Sequence, residues 1–550
     1  MTRARWLRLS TLAATVCAAV ACAGRGPAPE RAGGFEEVAA AVGVRVTHTS
    51  GATGRKWYPE TFGSGVCVTD LDGDDRPDLI FVTGRSWDGE LTGAGVAVLR
   101  NRVDGTFADV TAVSGIRYPF YGMGCAAADY DNDGREDLLV TGHGGTGLFH
   151  NLGGGRFAEV TARAGVADAG WSTCAVWFDA DADGFLDLFL CRYVQWSAET
   201  DLTCRLDPQT KVFCGPDPYP PSASRFFHNL GDGTFIDVTE SAGLAKPGKA
   251  LGAALLDADG DGRVDLFVAN DQVPNSLFRN RGDGTFADDS AALVLTPGRF
   301  GMARAGMGVD VDDEAGGGIV IGHFSGEGLG FFRRDADGRW RDRARAAGLF
   351  DASLPVLTFG VLFADVDLDG RLDLVVANGH VDADLARSLD GDVGAEERPL
   401  LFRSRGDDTY VDVGAPMGLT TRFVGRGVAV ADLDLDGDPD LVFTENNGPA
   451  RIYRNHASGA HWLGIRLIGT TSNRDGIGAM VTVTAGGRTR TRMVRTGSSY
   501  LSQSERALLF SLGQVTQVDE VIVRWPSGVI DRVTSPQADQ RMTLTEGSQP

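Results

Sequence analysis

Six stretches of the chain repeat one arrangement of carboxylates, D-x-D-x-D-G-x-x-D-L. Counting from the first aspartate, positions 1, 3, 5 and 9 are Asp70, Asp72, Asp74 and Asp78 in the first loop and Asp129, Asp131, Asp133 and Asp137 in the second. They are Asp179, Asp181, Asp183 and Asp187 in the third and Asp257, Asp259, Asp261 and Asp265 in the fourth. Asp365, Asp367, Asp369 and Asp373 form the sixth, and Asp432, Asp434, Asp436 and Asp440 the seventh. Calcium takes six to eight hard oxygen donors in flexible geometry, which four converging carboxylates and the carbonyl of position 7 can supply. Four like charges this close need a cation to stay ionised in a folded chain. The pattern therefore predicts six calcium sites acting as structural staples; magnesium fits less well, because the loops offer too many carboxylates. Position 6 needs a sharp turn and is glycine except in the first loop, where Asp75 must adopt the left-handed conformation. A fifth copy keeps Asp310 and Asp312 but has Glu314 and Gly318 at positions 5 and 9, and is expected to be empty or weak.

These loops are not EF-hands. Position 12, where an EF-hand needs a bidentate glutamate, is Phe81, Val140, Leu190, Val268, Val376 or Phe443. The flanking runs, such as Asp78-Leu-Ile-Phe-Val82, read as β-strands, so each loop joins the two strands of a hairpin. A second signature, an aromatic residue followed by an acidic one and valine or a close relative, recurs at Phe35, Phe107, Phe157, Phe235, Phe286, Trp340 and Tyr410. Seven repeats of about 60 residues with four short strands each predict an all-β, seven-bladed β-propeller over residues 34–455. The first aromatic signature precedes every aspartate loop, and the last loop has no such signature after it. The N-terminal strand should therefore complete the last blade and close the ring, which removes exposed sheet edges. An open β-solenoid is the alternative arrangement.

Composition agrees. Glycine makes up 75 of 550 residues, about twice the usual share, as many tight turns require. The net charge of −22 argues against a nucleic-acid partner. Arg3, Arg5 and Arg8 precede an apolar run from Leu9 to Val20 that is too short to span a bilayer and reads as a secretory signal over residues 1–21. Cys22 directly after the cut resembles a bacterial lipobox, so it is the expected lipidation site, with 22–33 as a tether. The protein is then expected in the cell envelope, membrane-bound only through this lipid. Of the remaining six cysteines, Cys204 and Cys214 are expected to pair within one irregular loop; the pairing of Cys67, Cys125, Cys174 and Cys191 stays open. Residues 456–550 carry no aspartate loop, alternate as in Ala479-Met-Val-Thr-Val-Thr484, and read as a small all-β domain. They hold ten basic and seven acidic residues. Arg488, Arg490 and Arg492 on one strand face either dock on the acidic propeller or form a surface for an anionic ligand.

The repeats resemble FG-GAP/VCBS repeats, the propeller units also found in integrin α subunits. The stretch that starts at Cys204 (CRLDPQTKVFCGPDPYPPSASRFFHNLGDGTFIDVT) is similar to the family of cartilage acidic protein and its bacterial relatives. The segments Asn473–Ala479, Gly497–Gln503 and Val523–Gly528 resemble the ASPIC/UnbV domain. The resemblance implies extracellular calcium-binding adhesion or scaffold proteins without established catalytic activity.

A ligand would be sought at the propeller mouth opposite the aspartate loops, where Trp171, Arg299, Phe300, His323, His380, Arg422 and Phe423 combine aromatic platforms with polar tips. Two functions compete. One is a monomeric binding module for an extracellular glycan or protein. The other is a propeller enzyme, a lyase, hydrolase or oxidoreductase acting at that mouth. No nucleophile motif or zinc-protease motif is found, and the eight histidines are scattered.

Overall fold

The computed structural model describes residues 33–87, 94–294, 296–298, 301–314, 317–390 and 394–548. Seven four-stranded antiparallel sheets follow the repeat among them. The first is built from Val66–Thr69, Asp78–Val82, Val96–Asn101 and Phe107–Asp109. The others repeat its plan. The inner strand runs into the aspartate loop, and in six sheets the second strand starts at the position 9 aspartate. The fourth strand starts at the aromatic signature. The seventh sheet takes its outer strand, Phe35–Glu37, from the N-terminal end of the described chain, with Phe35 opposite Asn455. Each inner strand touches the inner strand of the next sheet, and Gly425–Ala431 of the last touches Val66–Thr69 of the first. The fold is therefore a closed all-β propeller.

The core lies in layers between sheets rather than in one centre. Val66, Val68, Leu79 and Phe81 of the first sheet interdigitate with Ala429, Ala431, Val442 and Ile452 of the seventh. Second strands such as Asp78–Val82 are buried along their whole length, which explains their unbroken apolar runs. Inner strands use small residues, as in Tyr121–Ala128 (YGMGCAAA), because the sheets crowd together towards the axis. A disulfide between Cys67 and Cys125 joins the inner strands of the first two sheets, and Cys204 and Cys214 are bonded within their loop. Cys174 and Cys191 are unbonded and buried.

The C-terminal domain packs a three-stranded sheet (Leu508–Gly513, His461–Ile468, Gln540–Thr545) against a four-stranded one. The latter is formed by Arg488–Met493, Met480–Ala485, Glu520–Arg524 and Ile530–Thr534. No helix among the described residues is long and apolar enough to cross a membrane. The expected signal segment and Cys22 lie outside the described residues.

Candidate metal centres

In all six full loops the position 1 carboxylate accepts the backbone N–H groups of positions 5 and 6; Asp129 takes those of Asp133 at 2.9 Å and Gly134 at 2.7 Å. This fold-back needs left-handed backbone at position 6, where Asp75 has φ 64° and the glycines lie between 84° and 93°. Position 4 is left-handed as well. It is occupied by Gly73, Asn132, Ala182, Gly260, Leu368 and Leu435, a mixture that no sequence pattern announces. The position 9 carboxylate is buried and anchors the loop to the sheet: Asp78 accepts the N–H groups of Leu71 and Asn101.

Two residues on the third strand complete each loop. The last is Asn101, Asn151, Asn229, Asn280 or Asn455 in five sheets, always at the strand end. Asn229 Nδ2 donates to Leu186 O of its own loop (3.0 Å) and to Tyr130 O of the preceding loop (2.8 Å), so it latches neighbouring sheets together. Asn101 does the same to Leu433 O and thereby spans the ring closure. The aspartate pattern does not point to these asparagines. In the first four sheets their signal was a constant place six residues before the aromatic signature.

The residue before the latch position is always basic and faces position 3 of its loop. Arg100, Arg279, Arg333, Arg403 and Arg454 lie 2.9–3.2 Å from Asp72, Asp259, Asp312, Asp367 and Asp434. In the second and third sheets it is His150 or His228. The guanidinium engages one carboxylate oxygen in the first and seventh loops. The other, Oδ1 of Asp72 and Asp434, is buried and accepts no hydrogen bond, and the same holds for Oδ1 of Asp131 and Asp181.

Burial first, then the neighbouring carboxylates, pushes Asp78 up to about 8, Asp137 and Asp440 up to about 9, and Asp187 and Asp265 up to about 7. Clusters such as Asp70, Asp72 and Asp78, or Asp129, Asp131 and Asp133, bring donor oxygens within 4.8 Å of one another. All-oxygen donor sets with orphaned buried oxygens fit a hard divalent cation. The fifth loop differs: Arg495 lies 3.5 Å from Asp310 and 2.6 Å from Asp313, Arg492 2.8 Å from Glu314, and Arg333 3.0 Å from Asp312. There arginines already stand where a cation would.

The C-terminal domain covers the loop face. Asp475 accepts the N–H of Asp129 at 2.8 Å, Arg541 lies 3.2 Å from Asp432, and Arg466 lies 3.7 Å from Asp70. Arg490 and Arg492 face Asp365 and Glu314, so of the two readings of that strand face the docking one applies to them; Arg488 is exposed. Residues 496–503 enter the ring as an axial plug. Ser499 exchanges backbone bonds with Val309 (2.9 and 3.0 Å), and Gln503 does so with Val66 and Val68 while its side chain clamps Ala127. Thr496 Oγ1 bridges the N–H and carbonyl of Trp177, each at 2.8 Å. Inner-strand glycines make room: a Cβ at Gly65 would collide with the Leu501 carbonyl.

The opposite mouth is closed, which corrects the expected ligand surface. Trp171, His323, His380 and Phe423 are all 3% exposed or less. Trp171 packs edge-on against Tyr58 and Phe62, which lie over the axis, and the buried Arg426 donates to Thr61 O and Gly379 O beside them. His323 Nδ1 and His380 Nδ1 contact backbone carbonyls within their own loops. Part of the roof is the long connection between Arg192 and Arg225, whose Phe213 N–H reaches Asp382 in the connection that follows the second strand of the sixth sheet. The reach of that insertion is not encoded in its local pattern. Arg422 is exposed, and Arg299 and Phe300 lie outside the described residues.

Residues 469–550 match the family model described as ASPIC and UnbV, and residues 70–140, 129–190, 207–268 and 257–313 match that of the FG-GAP-like repeat. Cartilage acidic protein 1 of Mus musculus is 26% identical over 500 residues, covering 86% of this chain and 71% of that protein. The Homo sapiens protein gives 26%, 86% and 70%. Similar solved structures include a chain of BBS1N in complex with ARL6DN (10% identity, TM-score 0.40, 71% of this chain and 92% of that one). YCF48 bound to D1 peptide (10%, 0.38, 71% and 92%) and an Agrocybe aegerita lectin (19%, 0.36, 64% and 79%) are others. By its repeats and its terminal domain, the chain is an FG-GAP-like-repeat β-propeller protein with a C-terminal ASPIC and UnbV domain, similar over most of its length to cartilage acidic protein 1.

Proposed function

We propose that this chain is an exported, calcium-stapled propeller that serves as a binding or scaffold module for an extracellular glycan or protein, tethered through lipid on Cys22. The observation that carries the calcium reading is the set of buried, partnerless Oδ1 atoms of Asp72, Asp131, Asp181 and Asp434, all at loop position 3. A buried acceptor left without a partner costs roughly 1–3 kcal/mol, and more when charged. A divalent ion held by positions 1, 3, 5 and 9 relieves that cost and the repulsion among the loop carboxylates. Such an ion does no chemistry here; it fixes the hairpins against the terminal domain. The charged leader, apolar run and Cys22 support export and anchoring. Since Trp171, His323, His380 and Phe423 of the mouth are interior, a partner is better sought on the exposed roof. There Leu202 and Leu206 stand 39% and 42% exposed beside the Cys204–Cys214 bridge.

Calcium titration of chelator-stripped protein tests this, with six equivalents and a clear rise in melting temperature expected. An unchanged melting temperature under chelator would overturn the stapling role. A glycan array run with and without calcium addresses the partner.

A further inference from the structure

The second and third loops differ from the rest. Where five sheets aim an arginine at position 3, these two aim an imidazole. His150 Nδ1 lies 3.3 Å from Asp131 Oδ2 and 3.2 Å from Asp137 Oδ1; His228 Nδ1 lies 3.9 Å from Asp181 Oδ2 and is hydrogen-bonded to Asp187 Oδ1 at 3.0 Å. Donors bound to one ion at about 2.0–2.2 Å sit roughly 3.0–3.5 Å apart, so the second loop's separations already suit nitrogen and oxygen ligands sharing a zinc-sized ion, and in the third loop Asp181 would have to close in by a few tenths of an ångström.

A second observation points the same way. In five other loops the position 9 Oδ2 accepts the N–H of position 2. In the second loop Asp137, which is 1% exposed, has an Oδ2 without a partner, and Oδ1 of Asp131 and Nδ1 of His150 also lack hydrogen bonds. These three atoms all belong to one cluster, Asp131, Asp137 and His150, whose donor atoms lie within 4.8 Å of one another as they do in several other loop clusters. An arginine cannot ligate, because it is always protonated; a neutral imidazole can, and it favours late first-row divalent metals over calcium.

We infer that the second and third loops are transition-metal sites of the zinc class, with Asp131, Asp137 and His150 as ligands in one and Asp181, Asp187 and His228 in the other. This rests on the reading of the loops as cation sites and deepens it. The other four full loops, which carry arginine, keep calcium, so the ring holds two kinds of staple.

The test uses the full chain, stripped with chelator and then equilibrated with excess calcium and graded zinc, with metals counted after gel filtration. Two zinc equivalents are expected, with bound calcium falling from six to four. His150→Arg, which installs the residue that the other sheets carry, should remove one zinc equivalent. The double variant with His228→Arg should remove both. The remaining four calcium ions report that the variants fold. Cobalt substituted for zinc should give a d–d spectrum that the double variant lacks. The lost affinity should exceed the roughly 10–100-fold that removing an outer partner costs. Zinc uptake that is absent, or unchanged in the double variant, would overturn the inference and leave the histidines as counter-ions. Six calcium ions that zinc does not displace would overturn it while sparing the calcium reading. Two zinc ions with no calcium anywhere would do the reverse.

Discussion

Removing the cation should make stability depend on pH in a direction opposite to that of most carboxylate-rich proteins. Take Asp137, which burial and neighbouring carboxylates push up to about 9 in the metal-free fold, against about 3.9 in an unfolded chain. Between those two values the folded state holds a proton that the unfolded state has released, so stability falls as pH rises. The full contribution is present below about pH 4 and is lost progressively on the way to about pH 9. Across the window from pH 5 to pH 7 the slope is about 1.4 kcal/mol per unit, or about 2.7 kcal/mol for this one group. Asp78 and Asp440, pushed up to about 8 and about 9, act in the same sense. A bound divalent ion keeps these carboxylates ionised and cancels the effect, so the stabilisation by calcium should grow with pH. The assay is thermal melting of chelated and calcium-loaded protein at pH 5 and pH 7. Calorimetry in buffers of different ionisation enthalpy adds a count of protons released on binding. Metal-free protein should melt lower at pH 7 than at pH 5, and calcium should release more than one proton at pH 7. A calcium shift that is equal at both pH values, or larger at pH 5, would refute the reasoning.

Five further outcomes follow from the geometry. Asn229→Ala strips hydrogen bonds from two buried carbonyls and from the Gly231 N–H, and should cost about 3–5 kcal/mol in denaturant unfolding. Asn455→Ser, which copies the latch residue of the sixth sheet (Ser404), should cost less. Gly65→Ala drives a methyl group into the Leu501 carbonyl and should loosen the plug, which limited proteolysis of the C-terminal domain would detect. Ala182→Gly relieves left-handed strain at an exposed loop position, φ 61°, and should stabilise by about 0.5–1 kcal/mol in the same unfolding assay. Cys67→Ser opens a crosslink spanning 58 residues and should lower unfolding free energy by about 4 kcal/mol in the chain-entropy account.

Much of the candidate site was legible because its chemistry is local. Positions 1, 5, 6 and 9 of a loop lie within nine residues, and their hydrogen bonds close inside that span, as Asp70 with Asp74 and Asp75 does. Asp75 stands where glycine was expected and takes the left-handed conformation that its position requires. The third-strand basic residue and the latch asparagine were missed. Each sits some 14–47 residues after the aspartate that it serves, and only strand register brings the two together. The mouth failed as a surface for a related reason. Trp171 and Phe423 lie on connections between sheets, but what lies over them comes from residues 57–62 and from an insertion in the third repeat. Aromatic side chains near an axis look the same in sequence whether water or another aromatic ring covers them.

Period and spacing are therefore sequence properties here. The aspartate loops, the strands that carry them and the borrowed outer strand of the seventh sheet all follow from one pattern repeated at short range. Tertiary structure alone decided how the ring is filled. The plug at residues 496–503, the arginines that occupy the fifth loop and the roof over the mouth join segments that lie well over a hundred residues apart. Such contacts are selected by the free energy of burying matched surfaces once the ring exists, and no local pattern records which distant surface will match.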